Sequence, residues 1–232
     1  MDEQGSVAGF ALARTVSDTR RVVCLHGIWM PGAGMLYVKY RLESENNFQV
    51  DLFSYAPVTE TLDDVANKLA DLITSGGDAA THLVGYSLGG VVVLRMLALR
   101  PDIDIDRVVC LGSPLCGSRA AFHLNQLEWG NLILGKTVSE GVLDDAAHRW
   151  AQGVAESHEI GIIAGSVPIG FGRFVAGFDE ANDGTVAISE TRMPGAKDHL
   201  VLPVSHKGML ISRDVVDQTA AFLQRGEFLR EA

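Results

Sequence analysis

The 232-residue chain contains little cysteine and few basic residues. Three cysteines and no C-x-x-C pair favour buried thiols in a reducing compartment over a disulfide framework. Lysine and arginine total 19 against 29 aspartates and glutamates, which gives a formal net charge of −10. Because an acidic surface repels phosphate groups, we expect no nucleic-acid partner and no docking on anionic lipid.

We expect neither a secretion signal nor a membrane span. The N-terminus reads MDEQGSVAGF, with acidic residues where a secretion signal carries basic ones, and no apolar segment follows. The longest relevant uncharged run, residues 83–94, is too short to cross a bilayer. These features predict a cytoplasmic protein without a stable membrane span, monomeric by default.

The chain instead alternates short apolar stretches with longer segments of helical periodicity. The predicted strands cover residues 21–26, 48–53, 82–86, 106–111, 159–164 and 200–202. The predicted helices cover residues 34–45, 62–73, 88–99 and 213–224. This alternation predicts an α/β fold with a mostly parallel central sheet and helices on both faces, whose ligands bind beyond the carboxyl ends of the strands.

A single domain of residues 1–232 is the expected organisation, since 47% hydrophobic and 21% charged residues are typical of one globular core. Residues 117–158 are too many for a simple crossover and predict a helical insertion. Its apolar residues would either line an acyl pocket as a small cap or pack on the sheet edge. The same choice, pocket wall or loop anchor, stays open for Phe171, Phe174 and Phe178.

The sharpest motif is G-Y-S-L-G at residues 85–89, followed by Gly90. It follows a predicted strand and opens a predicted helix, which is the context required of a G-x-S-x-G nucleophile elbow. Glycines on either side of the serine remove side chains that would collide in such a strained turn. Ser87 is therefore the candidate nucleophile, with its hydroxyl held at a helix N-terminus.

A serine hydroxyl needs a general base, and the base needs an acid that orients it. His206 follows the last predicted strand, and Asp183 lies upstream in an N-D-G sequence whose glycine permits a tight turn. Asp179 and Glu180 in the same loop are alternatives for the acid. His199 is the alternative base, although it begins the last strand at the wrong end of the sheet.

The order Ser87, Asp183, His206 resembles that of the α/β-hydrolases, and residues 21–225 look like bacterial lipases and small serine esterases. The likeness is carried by H-G-I at 26–28, the serine motif, N-D-G at 182–184 and His206. Ser87, Asp183 and His206 would form a catalytic triad.

The resemblance also implies an oxyanion hole built from the backbone N–H groups of Ile28 and Leu88. It implies substrate contacts from the loop at 112–118, which includes Leu115. Trp29 and Tyr86 are the other candidate substrate-binding residues.

Metal and nucleotide sites are not expected. Calcium-bound lipases of this group carry H-L-D at the histidine, whereas this chain has H-K-G at 206–208, so we expect no structural calcium. No H-E-x-x-H occurs. Residues 130–137 match a phosphate-binding loop, but no buried strand precedes them and three large aliphatic residues fill the middle. We therefore expect no cofactor.

The sequence thus predicts a serine carboxylic-ester hydrolase of esterase or lipase type. It would act on a small-molecule or lipid ester through an acyl-enzyme on Ser87. A thioesterase or an acyltransferase would use the same triad. A non-catalytic hydrolase-fold binding protein is the third possibility, because a fold alone does not establish a reaction.

Overall fold

The computed structural model describes residues 20–77, 80–126, 130–142, 146–169 and 179–230. The strands are β1 (Arg20–Leu25), β2 (Phe48–Phe53), β3 (Thr81–Tyr86), β4 (Ile105–Leu111), β5 (Glu159–Gly165) and β6 (Asp198–Leu202). The helices are α1 (Leu36–Asn46), α2 (Leu62–Ser75), α3 (Leu88–Leu99), α4 (Arg119–Asn125), α5 (Gly130–Gly141), α6 (Ala146–Ser157), α7 (Ile188–Thr191) and α8 (Arg213–Arg225).

The described strands form one parallel sheet in the order β2-β1-β3-β4-β5-β6. The predicted α/β class and parallel sheet are confirmed, and each predicted strand is present within two residues of its predicted bounds. The order reverses between β1 and β3, since β2 lies on one side of β1 and the later strands lie on the other. A crevice opens at such a switch point, beyond the carboxyl ends of the strands, and ligands bind there.

The core has two layers because successive side chains of each strand point to opposite faces. In β1, Val23 and Leu25 pack with α2 and α3, whereas Val22 and Cys24 pack with α1 and α8. All four side chains are completely buried. Helices therefore cover both faces of the sheet, as predicted.

Local signals explain where several helices begin and end. Thr61 is the N-cap of α2, and its hydroxyl accepts the Asp64 N–H at 3.1 Å. The helix predicted over 34–45 is instead a 3₁₀ turn at Gly32–Met35 followed by α1. Asn47 ends α1 with a φ of 56°, in the left-handed conformation that asparagine tolerates.

The predicted insertion contains α4, α5 and α6, and the last two pack on α2 and α3. Val138, Val142 and Val154 lie buried in the same core layer as α2 and α3. Gly135 interrupts α5 with a φ of 71°, where a Cβ would lie 2.3 Å from the Cα of Val58. These contacts favour packing on the helix layer for α5 and α6, and a cap over an acyl pocket stays a prediction.

Residues 170–178, which hold the three phenylalanines considered above, lie outside the described residues. In the described part of the chain, no helix has both the length and the apolar character needed to span a bilayer.

Candidate active site

Ser87 lies in the sharp turn that joins β3 to α3. Its backbone has φ 54° and ψ −120°, a conformation that L-residues rarely adopt, and its N–H donates to the Leu111 carbonyl at 2.8 Å. A Cβ at Gly85 would lie 2.5 Å from the Cα of Gly90, and one at Gly89 would lie 2.7 Å from the Leu25 carbonyl oxygen. The glycines of the motif are thus required by close backbone approach.

The three residues of the predicted triad lie together. The Ser87 hydroxyl is 3.0 Å from His206 Nε2, and His206 Nδ1 is 2.7 Å from Asp183 Oδ2. Ser87 follows β3, Asp183 lies between β5 and α7, and His206 follows β6. Their exposed fractions are 8%, 1% and 6%, so the chain of contacts is shielded from water while Ser87 keeps an opening.

Asp183 is fixed by the turn in which it lies. Its Oδ1 accepts the N–H groups of Thr185 at 2.9 Å and Val186 at 2.7 Å, and its own N–H donates to the Val186 carbonyl. Gly184, with a φ of 92°, closes the turn, as the N-D-G sequence predicts. Because Oδ1 is saturated, Oδ2 remains for the imidazole of His206.

Tyr86 lies beneath His206. Its hydroxyl donates to the His206 carbonyl at 3.1 Å, and the two ring centroids are 5.0 Å apart. Burial, with a smaller contribution from Asp183, raises the pKa of Tyr86, which keeps the hydroxyl protonated as a donor. Tyr86 is predicted to bind substrate. At 3% exposure, however, it is better placed to support His206 than to contact a substrate.

The loop at 26–28 lies directly beside the nucleophile. A Cβ at Gly27 would come within 3.0 Å of Ser87 Cβ, so the loop leaves no space there for a side chain. Ile28 follows on this loop and Leu88 is the first residue of α3, whose N-terminal amides favour negative charge. Leu88 thus directly follows Ser87 in sequence, and Ile28 directly follows the glycine that lies against Ser87, so their roles as oxyanion donors stay predictions.

His26 orders this loop through Tyr55. The Tyr55 hydroxyl donates to the His26 carbonyl at 2.9 Å, and the rings stack with centroids 4.4 Å apart. The Tyr55 N–H donates to His26 Nε2 at 3.3 Å, which assigns the proton to Nδ1, 2.7 Å from the Gly27 carbonyl. Burial lowers the pKa of His26, in keeping with this neutral tautomer.

The alternative acids and base lie apart from this cluster. Asp179 is exposed, and the Glu180 carboxylate binds Arg119 and the Ser189 hydroxyl. His199 Nε2 lies 2.9 Å from the Thr191 hydroxyl, at the start of β6 as the sequence indicates.

The remaining substrate candidates differ in exposure. Leu115 is completely buried in the core layer of α2 and α3, whereas Trp29 is 54% exposed. A cavity of about 460 Å³ lies near Leu115, between the start of the insertion and α7, but none of the triad residues lines it. A direct substrate contact is therefore easier for Trp29 than for Leu115.

Gly112, expected only as part of the substrate loop, lies against the predicted acid and base, and Tyr55 was not expected near the site at all. Gly112 has a φ of 53°, and a Cβ there would lie 3.1 Å from both Asp183 Oδ2 and His206 Nδ1. The available signal was a glycine directly after a buried strand, at the end of the sheet where ligands bind. No comparable signal marks Tyr55, since its role depends on a long-range contact with His26.

In the described ranges, no group of three or more histidine, cysteine, aspartate or glutamate side chains is arranged to hold a metal ion.

Comparison with known proteins places the fold in a family. The model of the Alpha/beta hydrolase family matches residues 22–222. The chain belongs to the alpha/beta hydrolase family. This alpha/beta hydrolase is similar in structure to the mature form of the Bacillus licheniformis lipase BlEst2, with a TM-score of 0.70, 19% identity and coverage of 90% of this chain and 93% of that chain.

Two further proteins similar to this alpha/beta hydrolase carry the names of different activities, a pyrethroid hydrolase and a thioesterase. A pyrethroid hydrolase from Sphingobium faniae JZ-2 matches with a TM-score of 0.60 and 14% identity, over 89% of this chain and 98% of that chain. The Xenopus laevis lysosomal thioesterase PPT2-B is 23% identical over 104 residues, 41% of this chain. That match spans 36% of the thioesterase. Likeness at these identities establishes the fold.

Proposed function

We propose that the protein is a serine carboxylic-ester hydrolase of esterase or lipase type. The observation that carries this proposal is the continuous contact from Ser87 Oγ through His206 to Asp183, at 3.0 and 2.7 Å. Those distances match the requirements for a nucleophile, its general base and an orienting acid. The lipase and the pyrethroid hydrolase of similar fold support hydrolysis as the reaction class.

The proposed reaction begins with attack of Ser87 Oγ on the ester carbonyl carbon. His206 Nε2 takes the hydroxyl proton, and Asp183 stabilises the resulting imidazolium through Nδ1. The N–H groups of Ile28 and Leu88 stabilise the oxyanion, each contributing about 3 kcal/mol to the lowering of the barrier.

His206 then gives its proton to the leaving alkoxide, so that the alcohol departs and the acyl group stays on Ser87. Water attacks this acyl-enzyme, again losing its proton to His206, and the collapse of the second oxyanion releases the acid and restores the serine. No redox step occurs, and no group other than water is consumed.

A thioesterase is the second candidate, favoured by the likeness to PPT2-B. The same triad would expel a thiolate in place of an alkoxide. A matched pair of butyryl substrates, one an oxygen ester and the other a thioester, separates the two because the acyl part is identical.

The test is hydrolysis of p-nitrophenyl butyrate and of the matching thioester, S-(p-nitrophenyl) thiobutyrate, by the wild type, Ser87→Ala and Ser75→Ala. Ser75 ends α2, close to the amino-terminal end of β1 and far from the rim that carries the triad. We expect wild type and Ser75→Ala to have equal activity, higher on the oxygen ester. We expect Ser87→Ala to lose at least about a thousandfold while remaining folded. Full activity in Ser87→Ala would contradict the proposal.

A further inference from the structure

Trp29 has a backbone conformation that its own side chain disfavours. In the ranges the structure describes, three non-glycine residues have a positive φ: Trp29 at 56°, Asn47 at 56° and Ser87 at 54°. Two of these have a local reason, since Asn47 ends α1 and Ser87 forms the turn before α3. A bulky aromatic residue in this region is a genuine outlier, and such outliers concentrate at active sites and ligand clamps.

The position of Trp29 connects this strain with the triad. Gly27 lies against Ser87, and two trans peptide bonds span at most about 7.6 Å, so the Trp29 backbone lies close to the nucleophile. A Cβ at Gly32 would lie 3.9 Å from the His26 ring, so the chain returns to its starting point within a few residues. Trp29 therefore lies in the turn of a short loop that follows β1 and passes beside Ser87.

The residue in this turn is large, aromatic and partly exposed. Trp29 is 54% exposed, whereas Tyr86 and Leu115 are buried, so of these three residues Trp29 presents the most surface to a ligand. Glycine would adopt the same backbone without strain, so the indole costs folding energy at this position. A large aromatic surface on the loop beside the proposed nucleophile is well suited to bind an apolar substituent of an ester.

We infer that Trp29 determines specificity by contacting the apolar part of the substrate, an inference that rests on the proposed ester hydrolysis. The apolar part belongs either to the acyl chain or to the alcohol. Two substrate series separate these sources: p-nitrophenyl acetate against octanoate, and ethyl acetate against 1-naphthyl acetate.

The test uses Trp29→Gly, which removes both the indole and the strain, and Asn47→Gly as the matched control. Asn47 has the same φ and lies at the end of α1. Both variants are expected to keep or raise the melting temperature. Asn47→Gly should retain the wild-type preference among esters, and Trp29→Phe should retain most of it.

In Trp29→Gly we expect kcat/KM for the larger ester of one series to fall about tenfold relative to the smaller one, with the change mainly in KM. The series that shows the fall identifies the acyl or the alcohol side. Equal losses on all four esters would overturn the inference and assign Trp29 to holding the oxyanion loop. An unchanged preference would overturn it as well. A wild type without activity on any ester would refute the proposed function and, with it, this inference.

Discussion

Replacement of Asp183 by asparagine probes the proposed triad without changing its shape. In the native chain, Oδ1 accepts two backbone N–H groups, from Thr185 and Val186, and Oδ2 accepts the His206 Nδ1 proton. The asparagine oxygen must therefore face the two N–H groups, because its NH₂ would leave both donors without an acceptor. The NH₂ then points to Nδ1 of His206, which has to accept instead of donate.

This change moves the imidazole proton to Nε2, which faces Ser87 at 3.0 Å and can no longer take the serine proton. Loss of the correct tautomer lowers kcat about 10⁴-fold in a triad of this kind, equivalent to about 5 kcal/mol in the barrier. The assay is kcat for p-nitrophenyl butyrate, with circular dichroism to confirm the fold. Asp179→Asn, in the same loop but exposed, is the control and should have wild-type kcat. An Asp183→Asn enzyme within tenfold of wild type would refute the reasoning.

Three other variants test individual contacts. Gly112→Ala places a Cβ 3.1 Å from both Asp183 Oδ2 and His206 Nδ1, so we expect kcat to fall at least about tenfold and the free energy of unfolding to fall by about 1–2 kcal/mol. Tyr86→Phe leaves the His206 carbonyl without its donor, and we expect kcat to fall with KM unchanged; a change in KM alone would instead support substrate contact. Burial lowers the pKa of His82 from 6.5 to about 4, so the unfolded chain binds the proton more tightly. The stabilisation from neutral His82 is complete above pH 6.5 and is lost as the pH falls towards 4, by about 3 kcal/mol in all. Carboxylates such as Glu60 and Asp198, whose pKa is lowered in the fold, also lose stabilisation on acidification in both proteins, so urea unfolding at pH 7 and pH 4 should show a loss about 3 kcal/mol larger in the wild type than in His82→Leu. Equal losses in both would contradict the role of His82.

Much of the fold could be predicted because the strands that form it have local signatures. The stretch at residues 106–111 reads DRVVCL, and consecutive apolar residues such as its V-V-C-L are typical of strands buried on both faces. The bounds of β6 were less predictable, since Asp198 and His199 are polar and join the strand through pairing with β5. The start of α1 was missed by two residues because a 3₁₀ turn precedes it, which helical spacing alone does not reveal.

The candidate site was predictable where neighbouring residues in the sequence indicate the backbone conformation of the functional residue. Ser87 and Asp183 both lie in turns marked by neighbouring glycines. The supporting contacts could not be predicted, because they join residues far apart in sequence, such as the Tyr86 hydroxyl and the His206 carbonyl. The strand alternation and motif place Tyr86 near the serine, but only the packed sheet shows that its ring passes beneath the imidazole.

The central claim is that Ser87 is the nucleophile activated by His206. It is tested most directly by reaction with a fluorophosphonate, followed by mass spectrometry of the peptide that contains residue 87. We expect a phosphonyl group on Ser87 in the wild type, and labelling slowed by orders of magnitude in His206→Ala. Labelling at another serine, or equal labelling rates in the wild type and in His206→Ala, would contradict it.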